Sequence, residues 1–312
     1  MALKVFSSEV DAAGSLVELT LKNLGKNVGE AMIFNLARTV ENGSLAFHGF
    51  GSPLVQLALH LAKRTHAPDL VFVAGATYGL NPSPPFLTPT SNDWALDRGA
   101  ECALDIEQLF DLGASGRIGR MFLSGVQIDR WGNANVTRLG RDRLDLKLPG
   151  GGGGCNLSCD VDHLSLWTTA HRSQPDRHGK RRFRLVEQCD FITNLGHRAA
   201  DGRTRAQLGH RGKGPQWLVT ELGLFDFDAT GHLRLRGLYP DTSVDDVAQS
   251  TGFTLVVADH MATLPLPGPE IVSMIRTLDP LQVHVRELQA PDRERRFTVA
   301  PSHRSLPVEV TP

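Results

Sequence analysis

Little in this sequence points outward. The 312 residues carry a net charge of −1, so there is no general electrostatic pull toward nucleic acid or an anionic membrane. Aromatic residues make up 6%, which leaves no evident platform for stacked bases. No apolar run reaches the ~18 residues of a membrane-spanning helix. The first 26 residues contain acids and no central apolar block, so they do not read as a secretory signal, and the expected location is the cytoplasm. Only four cysteines occur: Cys102, Cys155, Cys159 and Cys189. Cys155, Cys159 and His163 fall at i, i+4, i+8, but the run after Cys159 turns strand-like. Structural zinc takes closely spaced ligand pairs. Packed free thiols are expected, and no metal. A last absence is local: no Asp or Glu stands between Asp69 and Asp93.

What is present is ordinary globular material, 41% apolar and 21% charged. From Gly29 the pattern is regular. Met32, Ile33, Leu36, Ala37 and Val40 share one helical face, with Gly43 just beyond. Leu45-Ala46-Phe47 reads as a strand. Ser52 is placed to cap a helix that has Pro53 at its first position and Leu54, Leu57, Ala58 and Leu61 as its buried stripe. Leu70 to Val73 is a second strand. Strands apolar on both faces, joined by a helix, predict an α/β fold with an open, mostly parallel sheet flanked by helices. Ala100–Leu112, Val244–Gln249 and Glu270–Thr277 read as further helices. Met121–Val126, Leu164–Thr169, Trp217–Thr220 and Thr254–Val257 read as strands. The expected organisation is an N-terminal arm over 1–28, one domain over 29–288 and a flexible tail over 289–312.

Residues 125–137, Gly-Val-Gln-Ile-Asp-Arg-Trp-Gly-Asn-Ala-Asn-Val-Thr, read as a strand, a tight polar turn at Asp129–Gly132 and a second short strand. Asp129 can bond nearby backbone, and Gly132 can take positive φ. Asn81–Thr90 holds four prolines and is a loop. Gly150–Gly154 is either a flexible linker or a loop whose amides must approach a ligand closely. Its position before a strand favours the ordered role. Gly49-Phe50-Gly51 sits between strand and helix, but Leu54 stands where a dinucleotide loop needs its third glycine.

Several of these blocks together resemble the β subunits of the family I CoA-transferases, from about Gly29 to Leu288. They are Gly49–Pro53, Ala62–Asp69, Gly125–Asp129 with Gly132–Asn135, the Gly150–Gly154 run, Lys180–Phe183, Pro215–Glu221, Tyr239-Pro240 and Thr251–Phe253, all in order. The resemblance implies a CoA-transferase-like (sugar-isomerase-like) fold. It also implies an acyl-CoA substrate, no cofactor beyond the CoA of that substrate, and an α-subunit partner in an αβ or α2β2 assembly.

One departure shapes the expected activity. In the transferases, the strand occupied here by Leu70–Val73 ends in a Glu that attacks the acyl-CoA. This chain reads Val73-Ala74-Gly75-Ala76-Thr77. That pattern, with Asn81-Pro82, Pro85–Thr90 and Asn92–Trp94, resembles the β subunit of the steroid ring-opening hydrolases. These enzymes open a carbocyclic ring by reverse-Claisen cleavage in sterol, cholesterol or bile acid breakdown, and the resemblance implies a catalytic carboxylate on the partner subunit. Gly75, Ala76, Gly151, Gly152 and Gly153 are the candidates for an oxyanion or acyl pocket. Ala74, Asn92, Gln127, Asn133 and Asn135 are candidates for the substrate pocket. The polar residues among them have a plainer reading, in which they bond only backbone. Asp93 either caps the following helix or leaves Asn92 to touch substrate. His48 and His66 read as packed or solvated. The basic run His171–Arg184 reads as a solvated hairpin, or alternatively as a contact for CoA phosphates or the α subunit. Two other activities stay open: a genuine CoA-transferase (3-oxoacid or glutaconate type) with its nucleophile on the α subunit, and a non-catalytic regulatory subunit.

Overall fold

Strands that are apolar on both faces need a layer of cover on each side, and the chain supplies both. The computed structural model describes residues 26–49, 52–75, 77–90, 93–175, 177–179 and 181–297. Helix α1 (Val28–Ala37) opens with a reciprocal cap. Asn27 Oδ1 accepts the Glu30 N–H at 2.7 Å, and Glu30 Oε2 accepts the Asn27 N–H at 2.9 Å. Strand β1 (Leu45–His48) leads through α2 (Pro53–Arg64) to β2 (Val71–Val73). Ser52 caps α2 as expected: its Oγ accepts the Val55 N–H, and Pro53 occupies the first turn.

The chain continues through β3 (Gly79–Leu80), β4 (Cys102–Ala103), α3 (Ile106–Ala114), β5 (Arg120–Leu123), α4 (Gly154–Asp160) and β6 (His163–Thr168). Then follow β7 (Gly214–Thr220), β8 (Gly223–Phe227), β9 (Leu233–Leu238), α5 (Val244–Ser250), β10 (Val256–Thr263), α6 (Pro269–Leu278) and the short α7 (Ala290–Arg293). These ten strands form one sheet in the order β10-β9-β8-β7-β6-β5-β1-β2-β3-β4. Its centre, β2-β1-β5-β6-β7, is parallel throughout. The expected mostly parallel α/β sheet is therefore present.

Alternation along the central strands sends neighbouring residues to opposite cores. Ala46, Phe72 and Phe122 pack with α1 and α2, including Ile33, Leu36, Leu54 and Leu57. Phe47, Val73 and Met121 pack on the other face with Leu109 of α3 and Leu157 of α4. A smaller four-stranded sheet, formed by Gln127–Asp129, Ala134–Asn135, Leu185–Val186 and Thr251–Gly252, seats Ile128 and Leu185 against Leu166, Leu218 and Phe225.

Some boundaries differ from the sequence reading. Ala100–Leu112 is not one helix. Cys102–Ala103 is an edge strand, and the helix starts at Ile106 because Asp105 and Gln108 form a capping box. The strand expected over Thr254–Val257 runs Val256–Thr263 instead. Ordered structure also continues beyond Leu288: α7 is followed by Arg296–Phe297, which pairs antiparallel with Lys26–Asn27 and buries Phe297. Most of the expected arm (1–25) and the rest of the expected tail (298–312) lie outside the described residues. Among those described, no helix is long and apolar enough to cross a membrane.

From β1 the chain moves to β2 on one side, and β5 later inserts on the other. That reversal opens a crevice beyond the carboxyl ends of β1 and β5, the place where open α/β sheets bind ligands.

Candidate active site

A cavity of about 910 Å³ fills this crevice. Phe47, His48 and Gly49 enter it from the end of β1, Met121 to Val126 from β5 and the turn after it, and Trp167 to Ala170 from β6. Ser52 and Val55 contribute from the start of α2, and Gly150 to Gly154 form a further wall. The volume is within the range that holds drug-sized ligands, and the lining is mainly apolar with a few polar groups.

The glycine run is packed in place. Gly150 and Gly152 have φ of +98° and +49°, values that a side chain disfavours. A Cβ on Gly151 would come within 2.7 Å of Thr193, and one on Gly153 within 2.6 Å of the Phe110 ring. Gly150 donates to Val136 O, and Gly154 donates to Gly151 O. The N–H groups of Gly151, Gly152 and Gly153 have no acceptor among the described residues. All three glycines line the cavity. Gly75 differs: its N–H donates to His48 Nε2 at 3.2 Å. Ala76 and Asn92 lie outside the described residues.

Ala74, at the end of β2, is buried. It donates to Gly79 O and accepts from the Tyr78 N–H. The residues that follow β2, Ala74-Gly75-Ala76-Thr77, include no Asp or Glu. The polar turn residues are committed to the fold. Asp129 Oδ1 accepts the N–H groups of Trp131 and Asn133, and its Oδ2 accepts Asn133 Nδ2 and the Cys189 N–H. Asn133 Oδ1 accepts the Gly196 N–H, and its Nδ2 also donates to Arg198 O. Asn135 Nδ2 donates to Gln127 Oε1 and Arg138 O. Gln127 Oε1 takes the Asp190 N–H as well, and the residue faces a second cavity of about 1100 Å³. Asp93 accepts the Ala95 N–H and so caps a short 3₁₀ turn, Trp94–Asp97.

The second cavity adjoins the first, with Val126, Ala170, Arg184 and Gln289 lining both. Arg172 and Arg182 also face it. His171 is buried: its ring nitrogens meet Thr220 Oγ1 and Thr251 Oγ1, each at 3.1 Å, and burial holds its pKa down at about 3. The basic stretch thus begins in the core and only later reaches the surface. Lys180 lies outside the described residues. Cys155 and Cys159 sit on α4 and His163 begins β6, and no group of metal-ligating side chains forms among the described residues.

One cavity residue carried no signal in the sequence. Glu287 lines the wall beside α2, and its Oε2 accepts the Leu54 N–H at 2.9 Å. Burial pushes its carboxyl up to about 8, against the opposing Leu54 hydrogen bond, and Asp279 pushes the same way as burial. His48 is neutral, its pKa lowered to about 4 by burial.

No family profile matches the chain. The β subunit of 3-oxoadipate CoA-transferase from Pseudomonas knackmussii is 28% identical over 257 residues, covering 81% of this chain and 93% of that protein. The β subunit of glutaconate CoA-transferase from Acidaminococcus fermentans is 29% identical over 266 residues, covering 82% and 94%. A crystal structure of glutaconate CoA-transferase from that organism matches with TM-score 0.69 and 25% identity, over 85% of this chain and 98% of its own. The decarboxylase AibA/AibB gives TM-score 0.70 and 28% identity, covering 84% and 98%. IpdAB of Rhodococcus jostii RHA1 gives TM-score 0.65 at 23% identity, a likeness of fold alone.

Proposed function

We propose that this chain, a relative of the family I CoA-transferase β subunits, is one half of a two-subunit enzyme in which a carbon–carbon bond of an acyl-CoA is cut by water. The reading rests on one observation. Where a transferase β subunit presents an attacking carboxylate, this chain has buried Ala74, whose carbonyl accepts the N–H of Tyr78, a residue lining the large and mostly apolar cavity. Without a nucleophile there, an acyl group cannot be taken onto this strand and exchanged between CoA and an acid. A cavity of this size suits a bulky carbocyclic acyl group, as in a steroid-derived thioester. The free amides of Gly151, Gly152 and Gly153 are suited to stabilise an oxyanion or enolate as charge develops.

The partner is proposed to be a CoA-transferase-like α subunit, in an αβ or α2β2 assembly. The three arginines at the adjoining cavity suit the phosphates of CoA. A second reading, decarboxylation of an acyl-CoA, is favoured by the likeness to AibA/AibB at 28% identity. Both reactions break a carbon–carbon bond and leave charge next to a carbonyl. Coexpression with the α subunit and incubation with a steroid-derived cyclic 3-oxoacyl-CoA that also bears a free carboxylate, in ¹⁸O-labelled water, separates them. Ring opening with one labelled oxygen supports hydrolysis. Loss of CO₂ supports the second reading, and CoA appearing on an added acid shows a transferase and refutes both.

A further inference from the structure

The fold carries a carboxylate into the cavity from the far end of the chain. Glu287 closes the short 3₁₀ helix Val283–Glu287. Its backbone carbonyl accepts Thr169 Oγ1, just past the end of β6. Its side chain reaches the start of α2, where Oε2 takes the Leu54 N–H, one of the amides that a helix start leaves unpaired. Backbone and side chain are thus both fixed. Oε1 accepts no hydrogen bond from the described residues. The charged neighbour acting on this carboxyl is Asp279, which is itself committed to His284 Nδ1 at 2.5 Å and to the N–H groups of Val283 and His284. His48, Tyr78 and Arg184 line the same cavity.

We propose that Glu287 is the acid–base residue of this cavity, exchanging a proton with the carbon that lies between the carbonyls of a bound 3-oxoacyl thioester. The assignment rests on the reading that the cavity holds an acyl thioester. Apolar surroundings destabilise the charged carboxylate, so protonated and ionised forms coexist near neutral pH, as an acid–base group requires. In the proton-abstraction direction, a carboxylate oxygen takes the proton and the C–H electron pair passes into the carbonyl as an enolate. The carboxylic acid then returns a proton to that carbon. In ring opening, Glu287 first accepts a proton from water as the water oxygen bonds to the ring carbonyl. The carbon–carbon bond breaks, its electron pair forms the enolate, and Glu287 delivers its proton to the enolate carbon. One water is consumed, and nothing is oxidised or reduced.

The test uses the chain assembled with its α subunit and acetoacetyl-CoA in D₂O, following loss of the C2 protons by proton NMR. Wild type should exchange them faster than the α subunit alone. Glu287→Gln should slow exchange by at least about 100-fold, in line with general acid–base contributions, while still assembling with the α subunit. Glu287→Asp should retain part of the rate with a displaced pH profile. Exchange in Glu287→Gln within threefold of wild type overturns the assignment, as does wild-type exchange no faster than that of the α subunit alone. If Glu287→Gln does not assemble, the wild-type pH profile decides: kcat/KM rising through about pH 8 supports the assignment, and a flat profile refutes it. Exchange that depends on Glu287 in an enzyme that opens no ring defeats the hydrolase reading and leaves the role of Glu287 standing.

Discussion

His48 and Gly75 lock the ends of two adjacent parallel strands together. The Gly75 N–H donates to His48 Nε2, and Nδ1 lies 3.1 Å from Gly49 O, which fixes the neutral ring with its proton on Nδ1. The backbones approach so closely that a Cβ on Gly75 would lie 2.1 Å from His48 O and 2.4 Å from Gly49 O. Gly75→Ala must therefore move backbone. It is expected to cost about 3 kcal/mol or more, measured by chemical denaturation. By contrast, Gly152 has open space around its Cβ position and only its positive φ to protect, so Gly152→Ala is expected to cost about 1 kcal/mol.

Stability should peak near pH 6.5. Burial lowers His48 to about 4, and His60 and His171 to about 3, from an ordinary 6.5. These three rings must gain protons on unfolding below pH 6.5, so their contribution is present above that pH and is lost as the pH falls toward 3. Burial raises Glu221 to about 7 and Glu287 to about 8, from an ordinary 4.5. Their folded forms hold protons that the unfolded chain has released, so stability falls as the pH rises from 4.5 through 8. Below 6.5 the three histidines outweigh the two carboxyls, and above it only the carboxyls act. A series of melts across pH 4 to 9 checks this, and a maximum above pH 8 contradicts it.

Glu221 can be separated from that sum. It is fully buried, Oε1 accepts the Arg172 N–H at 2.6 Å, and Oε2 has no partner. Glu221→Gln keeps the acceptor and removes the charge. The variant should melt like wild type at pH 4 and be more stable above pH 7, by on the order of 3 kcal/mol once Glu221 is fully ionised. An identical curve across the range counts against this ionisation.

Asp129 holds the turn before Asn133 through four hydrogen bonds, from the Trp131, Asn133 and Cys189 N–H groups and from Asn133 Nδ2. Asp129→Ala leaves these donors buried without acceptors. A loss of at least about 3 kcal/mol is expected by denaturation.

Ala74→Glu restores a carboxylate at the end of β2. If small size there leaves room for a bulky acyl group, ring opening by the assembled enzyme should slow at least tenfold, about 1.4 kcal/mol in the barrier. An unchanged rate means that the size of this residue does not matter.

The sheet was legible because its signals are local. Two-faced apolar strands, the Ser52–Pro53 cap and the glycines of the 150–154 loop each work within a few residues. The Asp105–Gln108 capping box was equally local, yet the sequence reading does not take it as the helix start, which it places at Ala100. Roles for Gln127, Asn133 and Asn135 were harder to read, because a polar turn can either hold itself together or face a ligand. Their bonding partners, such as Asp190, Gly196 and Arg198, are distant in sequence and carry no periodic mark. Glu287 was invisible for the same reason. It stands among ordinary surface-like residues, and only the folded chain brings it to Leu54, 233 positions away.

That separation governs when the crevice becomes usable. Its walls come from His48 at one end and Glu287 at the other. A nascent chain on the ribosome can form β1, α2 and β2 early, yet it stays incompetent for ligand until Glu287 emerges.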